Sequence, residues 1–326
     1  MLAEQTRDEV FADSVRAQLD LIEVALLASA EAASPMVTEV AQHSIAAGGK
    51  RFRPQLVVLT SFLGPQPAVD DVVKAAVVVE LTHVASLFHD DVMDDADLRR
   101  GSPSANASWG NTVAILVGDY LFARASDIVS ELGQEFVRIQ ARTFSRLVQG
   151  QIAETVGPQP GEDPLAHYLQ VVADKTGALI ATSALFGSKI SGADPVIQRT
   201  VAEFGEEIGV VFQLSDDIID ITSDVTGKTP GTDLREGIPT LPTLLVRQST
   251  DPADRRLLDL LDTDLNHDEA LAEVLTLLRR HPAIEQARAQ VRRRAEAARL
   301  LLAPLPVGPA RAALEELCDA VVTRTA

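Results

Sequence analysis

The 326-residue sequence has a single cysteine, Cys318. An intrachain disulfide is therefore excluded, and a reducing, cytoplasmic setting is the natural expectation. Histidine is scarce too, with six residues and neither a CxxC pair nor an HExxH run, which argues against a zinc site. Basic residues are outnumbered, 29 against 47 acidic ones, for a net charge of −18. A chain this acidic repels nucleic acid and anionic membrane surfaces unless its cations are gathered locally, so no nucleic-acid partner is expected. The N-terminal run MLAEQTRDEV lacks a basic segment leading into an apolar one. No stretch reads as approaching the ~18 to 20 apolar residues of a membrane span.

What is present is apolar and helical. Hydrophobic residues make up 46% of the chain, enough for a sizeable core. They recur at spacings of three and four, as in Val37, Val40, Ala41 and Ile45, while sustained alternation is hard to find. Helix starts are marked by a capping residue followed by proline at Ser34-Pro35, Asp163-Pro164, Asp194-Pro195 and Asp251-Pro252. The main breaks fall at Gly48-Gly49, Gly64 to Pro67, Arg100 to Pro103, Gly157 to Gly161 and Thr226 to Pro242. About a dozen helices fit between them. No low-complexity linker divides the chain, so the expectation is one all-α domain over residues 1–326 with a mobile N-terminal tail of about ten residues. The basic segment from Arg279 to Arg299 interleaves its arginines with Ala and Leu at helical spacing and reads as a solvated helix face.

Two aspartate clusters carry the chemistry. LFHDDVMDDADLRRG places Asp90, Asp91 and Asp94 at the end of an apolar helical run, with Asp90 and Asp94 one turn apart on one face. FQLSDDIIDITSD repeats the arrangement with Asp216, Asp217 and Asp220. Carboxylates at a helix C-terminus oppose the macrodipole and repel one another, so the pattern calls for a compensating cation. One such cluster alone would read as a solvated helix end; a repeat shifts the balance. Oxygen-only ligands favour magnesium, which keeps several waters and takes further oxygens from carboxylates and substrate phosphates. Neither cluster has the spacing of a helix-loop-helix calcium site. Two such helix ends, if they faced each other, would make a strongly negative pocket, and the implied ligand is a diphosphate.

Cations complete the pattern. Gly48-Gly49-Lys50-Arg51-Phe52-Arg53-Pro54 sets three of them in a glycine-containing loop, where backbone can approach an anion closely. Arg99-Arg100, Lys175-Thr176-Gly177 and Lys228 supply the rest. The ordered set GGKRFRP, LTHVASLFHDDVMDDADLRRGSP, GDYLFARA, DKTGALI, FQLSDDIID and GKTPGTDLREGIPTLP resembles the polyprenyl synthetase family, the trans-isoprenyl diphosphate synthases. The resemblance runs from about Leu21 to the C-terminal helices. It implies an isoprenoid-synthase-type helical bundle with a central apolar cavity. The implied reaction joins isopentenyl diphosphate to an allylic diphosphate (dimethylallyl, geranyl, farnesyl or geranylgeranyl).

Carried over by motif, the resemblance implies that Lys50, Arg53, His83 and Arg100 hold the diphosphate of isopentenyl diphosphate, although His83 taken alone reads as a buried structural histidine. Arg99, Lys175 and Lys228 would hold the allylic diphosphate, with Gln213 and Thr176 near the reacting carbon. Asp90 and Asp94 would bind two magnesium ions and Asp216 a third, with Asp91, Asp217 and Asp220 as outer ligands or water partners. The family also implies a homodimer. Where it commonly has Gly-Lys-x-Thr, this chain has Gly237-Ile238-Pro239-Thr240, so a clamping lysine is absent and Arg235 is the nearest substitute. Shorter-chain members carry a bulky aromatic four or five residues before the first cluster. Here Ser86, Ala85, Thr82 and Val78 line that helix upstream of Asp90, and the resemblance then implies products of twenty carbons or more, unless Phe144 closes the tunnel early. A class I terpene cyclase would lack the GGKRFRP loop and the second DDxxD, and a noncatalytic partner subunit would have lost its aspartates.

Overall fold

The computed structural model describes residues 2–65, 68–99, 101–222 and 230–324, with side chains from Asp8 onward. In chain order its helices are α1 (Leu2–Ser29), α2 (Pro35–Ala46), α3 (Phe52–Ser61), α4 (Val69–Met93), α5 (Ala105–Trp109), α6 (Asn111–Leu132), α7 (Gln134–Val156), α8 (Pro164–Val172), α9 (Ala178–Ile190), α10 (Pro195–Thr222), α11 (Thr232–Arg235), α12 (Leu241–Arg247), α13 (Arg255–Leu261), α14 (Asp268–Arg280), α15 (Pro282–Leu301) and α16 (Pro309–Thr323). Twelve of these have nine or more residues, the number that the spacing of breaks predicts. The all-α expectation holds: the only strands among the described residues are β1 (Leu98–Arg99) and β2 (Ser102–Pro103), a two-residue antiparallel pair. Helix starts fall where proline follows a capping residue, and the Asp163 and Asp194 carboxylates each accept a backbone N–H two residues on.

The chain packs as two compact units. One comprises Met1–Ser145, Ala178–Gly205 and Leu301–Glu315; the other comprises Arg146–Gly177, Glu206–Leu300 and Glu316–Ala326.

The first unit is built on α4, which packs against α1, α3, α6 and α9 and is buried along most of its length. A helix surrounded in this way is apolar on every face, and that explains one departure from sequence expectation. By length and composition α4 is apolar enough to cross a membrane, which corrects the reading that no stretch approaches a span, but 67% of its apolar window is buried inside the protein. Two glycines permit the closest approaches. A Cβ at Gly187 of α9 would lie 2.0 Å from the Val57 carbonyl oxygen of α3, and one at Gly118 of α6 would lie 2.5 Å from the His89 ring of α4. Val78, Thr82, Ala85 and Ser86 of α4 are all buried.

The second unit has its own apolar core of Ile221, Leu234, Val246, Leu257, Leu260, Leu271, Val274 and Leu278 among others, drawn from α10 to α14. Cys318 of α16 is also buried, and burial pushes its thiol up to about 11, away from the nucleophilic thiolate form.

Candidate active site

In the first unit, the end of α4 shapes the first aspartate cluster. Asp95 adopts a left-handed conformation, φ 48°, which lets the Ala96 N–H reach the Asp91 carbonyl oxygen at 2.9 Å and terminates the helix. The chain then turns through the β1–β2 pair and brings Arg99 back onto the Asp91 carboxylate, its Nε donating at 2.7 Å. Asp91 is buried, whereas Asp90 and Asp94 are half-exposed. The doublet is therefore divided: Asp91 faces inward and fixes Arg99, while Asp90 and Asp94 keep partial access to solvent. Arg99, a diphosphate ligand by resemblance, is here bound up with a carboxylate. Arg100 lies outside the described residues.

The loop before α3 has its own internal support. Arg51 sits at φ 47°, a left-handed conformation costly for a side chain with a Cβ. Its guanidinium donates to Glu80 at 3.1 Å, to Glu23 at 3.0 Å and to the Ile45 carbonyl at 2.9 Å. Burial works against its charge, but these carboxylates outweigh that and hold its pKa above the ordinary value. Arg51 is thus the strut that fixes the loop, with Lys50 exposed on one side of it and Arg53 half-buried on the other. His83 is half-buried on α4.

In the second unit, Lys175 and Thr176 lie on a π-helical turn, Ala173–Gly177. Turns of this kind widen a helix locally and are common at functional sites. Three features hold it in place. Arg146 bridges Asp174 and Glu206, donating to Glu206 at 2.6 and 3.0 Å. Gly150 of α7 lies so close that a Cβ there would sit 2.8 Å from the Lys175 nitrogen. Lys175 Nζ is itself 2.5 Å from Glu154. The Thr176 hydroxyl donates to Gln213 Oε1 at 3.2 Å, so these two residues are hydrogen-bonded to each other.

The second cluster is divided like the first. Asp217 is buried; it accepts from Tyr168, from Gln213 Nε2 at 3.1 Å and from the Leu241 N–H at 3.2 Å. Asp216, half-exposed, is ion-paired with Arg324 of the C-terminal segment, whose guanidinium also lies 4.8 Å from the Phe212 ring centroid. Asp220 caps the following segment, accepting from the Thr232 and Asp233 N–H groups at 3.3 Å. Lys228 lies outside the described residues. Arg235, the nearest substitute for the missing lysine, instead binds the Asn266 carbonyl at 3.0 Å and Asp268.

Loss of solvation pushes the Asp217 carboxyl up to about 6, against the opposing pull of its three donors. Burial and then the Asp217 charge hold the Tyr168 phenol well above its usual range, so it remains a donor. A carboxyl raised above its unfolded value of 3.8 favours the folded state fully at low pH, and that contribution is lost as pH rises through about 6. Urea unfolding in chelator should therefore show Asp217→Asn gaining on the wild type, by up to about 3 kcal/mol, between about pH 4 and 6.5. A difference that stays flat with pH would contradict the burial argument.

Sequence reading missed Glu154, Arg146, Tyr168, Arg324 and the Arg51–Glu23–Glu80 group. The only sequence signal for any of them is the proximity of Arg51 to Lys50 and Arg53; the others depend on distant segments meeting. Among the described residues no three carboxylate, imidazole or thiolate groups converge to hold an ion by themselves. The donors offered are therefore oxygens in ones and twos at two helix ends.

The polyprenyl synthetase family model matches residues 34–278. The nonaprenyl diphosphate synthase of Mycobacterium tuberculosis is 46% identical over 319 residues, covering 97% of this chain and 95% of that protein. Among solved structures, the geranylgeranyl pyrophosphate synthase of Corynebacterium glutamicum, complexed with calcium and isoprenyl diphosphate, superposes with a TM-score of 0.85 at 41% identity, covering 96% of this chain and 97% of that one. The polyprenyl synthase of Caulobacter crescentus, in complex with the same two ligands, gives 0.90 at 30% identity and 98% coverage of both chains. With both DDxxD helices, the GGKRFRP loop and the DKTG turn all inside the matched region, this chain belongs to the polyprenyl synthetase family and is a trans-prenyltransferase.

Proposed function

We propose that the protein condenses isopentenyl diphosphate with an allylic diphosphate in a magnesium-dependent reaction, releasing diphosphate and an all-trans prenyl diphosphate of twenty carbons or more. The observation that carries this reading is the shared division of the two clusters, in which one aspartate of each doublet is buried among protein donors and the other stays half-exposed. Carboxylates offered in ones and twos suit a hard ion that completes its shell with water and phosphate oxygens, and suit zinc poorly. Asp90 and Asp94 would hold two magnesium ions and Asp216 a third, with Asp220 among the outer partners.

Bound magnesium supplies Lewis-acid neutralisation of the departing diphosphate. Arg99, Lys175 and Lys228 add fixed positive charge to the same group, and a dry apolar interior would keep water from the allylic cation. Lys50, Arg53, His83 and Arg100 hold isopentenyl diphosphate with its double bond toward that cation, so that proximity replaces any classical nucleophile. The released diphosphate then takes the proton. The whole chain acts as one functional domain, in the cytoplasm, as a homodimer; Val148, Ile152 and Val156, exposed at one-turn intervals on α7, support the last of these. In this reading chelation abolishes turnover and magnesium, not zinc, restores it; restoration by zinc alone would overturn the ligand argument.

Chain length rests on α4. The growing tail would pass Ser86, Ala85, Thr82 and Val78, and Phe144, which packs against Phe122 at 4.3 Å between ring centroids, is engaged with a neighbouring aromatic on α6. Ala85→Phe should shorten the products, read by mass, while condensation continues. If no tunnel passes this position, the added ring overpacks a buried site and costs about 1–3 kcal/mol of stability with product length unchanged.

A further inference from the structure

Asp217 lies beside a residue given to metal binding, yet its own carboxylate is fully occupied by protein donors. Gln213 Nε2 donates to Oδ1 at 3.1 Å; Tyr168 and the Leu241 N–H, the latter at 3.2 Å, donate to Oδ2. These donors come from α8, α10 and the start of α12. Both acid and phenol are buried, at 2% and 8% exposure.

The consequence lies in the next link. An ionised carboxylate only accepts hydrogen bonds, so Gln213 must present its NH2 group to Asp217. Its Oε1 is thereby turned the other way, where it accepts from the Thr176 hydroxyl at 3.2 Å. A glutamine amide that could otherwise sit in either of two orientations is fixed in one. The Thr176 proton is committed as well, which leaves both oxygens with acceptor lone pairs and no proton to donate.

We propose that Tyr168 and Asp217 are positioning residues that lock the Gln213 amide, so that the Gln213 carbonyl oxygen and the Thr176 hydroxyl oxygen face the carbon where allylic positive charge develops. This rests on the proposed place of Thr176 and Gln213 beside that carbon. Tyr168 neutralises part of the cost of burying Asp217, Asp217 sets the amide, and the amide presents negative partial charge preorganised for the cation.

The test uses variants that keep shape and change hydrogen-bond polarity. In Asp217→Asn, the single side-chain oxygen is drawn to Tyr168 and the Leu241 N–H, so the new NH2 group faces Gln213. Gln213 must then turn over and point its own NH2 toward Thr176, reversing the dipole. Assayed at pH 8 with both diphosphate substrates and magnesium, and normalised to folded protein, Asp217→Asn should lose about 10²-fold in kcat with KM for the allylic substrate little changed. Tyr168→Phe, which leaves Asp217 short of one donor, should lose about 10-fold in kcat. The decisive variant is the exchange Asp217→Asn with Gln213→Glu. A glutamate accepts at both ends, so it restores the outward oxygen and should recover at least about 10-fold of the kcat lost in Asp217→Asn. Were Asp217 a metal ligand, the exchange would not rescue, and that result overturns the proposal. Gln213→Ala separates the two levels. Wild-type turnover in Gln213→Ala would remove the placement on which the proposal stands; a crippled Gln213→Ala beside normal Tyr168→Phe and Asp217→Asn would overturn the positioning role alone.

Discussion

Asp90→Ala and Asp216→Ala should each cut turnover by about 10²- to 10³-fold or more, the scale of loss when one preorganised charge-stabilising group is removed from an active site. The effect should fall on chemistry, not on folding. Both carboxylates are half-exposed in the last turns of their helices, and neither contributes to an apolar core. The Asp216–Arg324 ion pair, with both side chains partly exposed, contributes at most about 1 kcal/mol. Helicity by circular dichroism should therefore match the wild type in both variants. Near-normal turnover in either would break the two-cluster account. A loss of helicity would show instead that the carboxylate had been structural.

Arg51→Ala should be the most damaging single change to stability in the first unit. It removes the partner of Glu80, whose side chain is 3% exposed, and leaves a buried charge facing nothing; breaking a buried pair in this way costs about 3–5 kcal/mol. The Glu23 pair is the more exposed half of the group and adds little. Only a small gain opposes this, because alanine in a left-handed conformation is strained as arginine is. A functional consequence follows from the same geometry. Lys50 and Arg53 flank Arg51, so a loosened loop should raise KM for isopentenyl diphosphate in whatever fraction remains folded. Arg51→Lys should not rescue, since an ammonium cannot reach Glu80, Glu23 and the Ile45 carbonyl with one planar fork. Urea unfolding measures the first effect. A loss under about 1 kcal/mol would mean that Glu80 finds another partner.

How much of this was legible beforehand depends on sequence distance. The helical periodicity, the proline-marked starts and the apolar α4 are local properties, and they placed the elements and both aspartate clusters correctly. Family resemblance assigned Thr176 and Gln213 to the same reacting carbon, but the hydrogen bond that joins them, 37 residues apart, was not read from the sequence. Partners supplied by remote segments were not legible. Nothing local says that Arg324 reaches back 108 residues to Asp216, or that Tyr168 closes on Asp217 from another helix. The identity of residue types hid a division as well. Asp90 and Asp91 look alike in sequence, but helix geometry separates adjacent side chains by about 100°, and burial assigns the second to Arg99. The reading that no stretch approaches a span in length and composition fell short for a related reason, since α4 is apolar through burial among neighbouring helices, and composition alone does not distinguish those neighbours from lipid.

The central claim is chain elongation, and product mass tests it most directly. Purified protein incubated with isopentenyl diphosphate, farnesyl diphosphate and magnesium should yield prenyl diphosphates lengthened in five-carbon steps to twenty carbons or more, with diphosphate released at each step and nothing formed in chelator. Conversion of farnesyl diphosphate alone to a cyclic or hydrolysed product, with isopentenyl diphosphate left unconsumed, would contradict it.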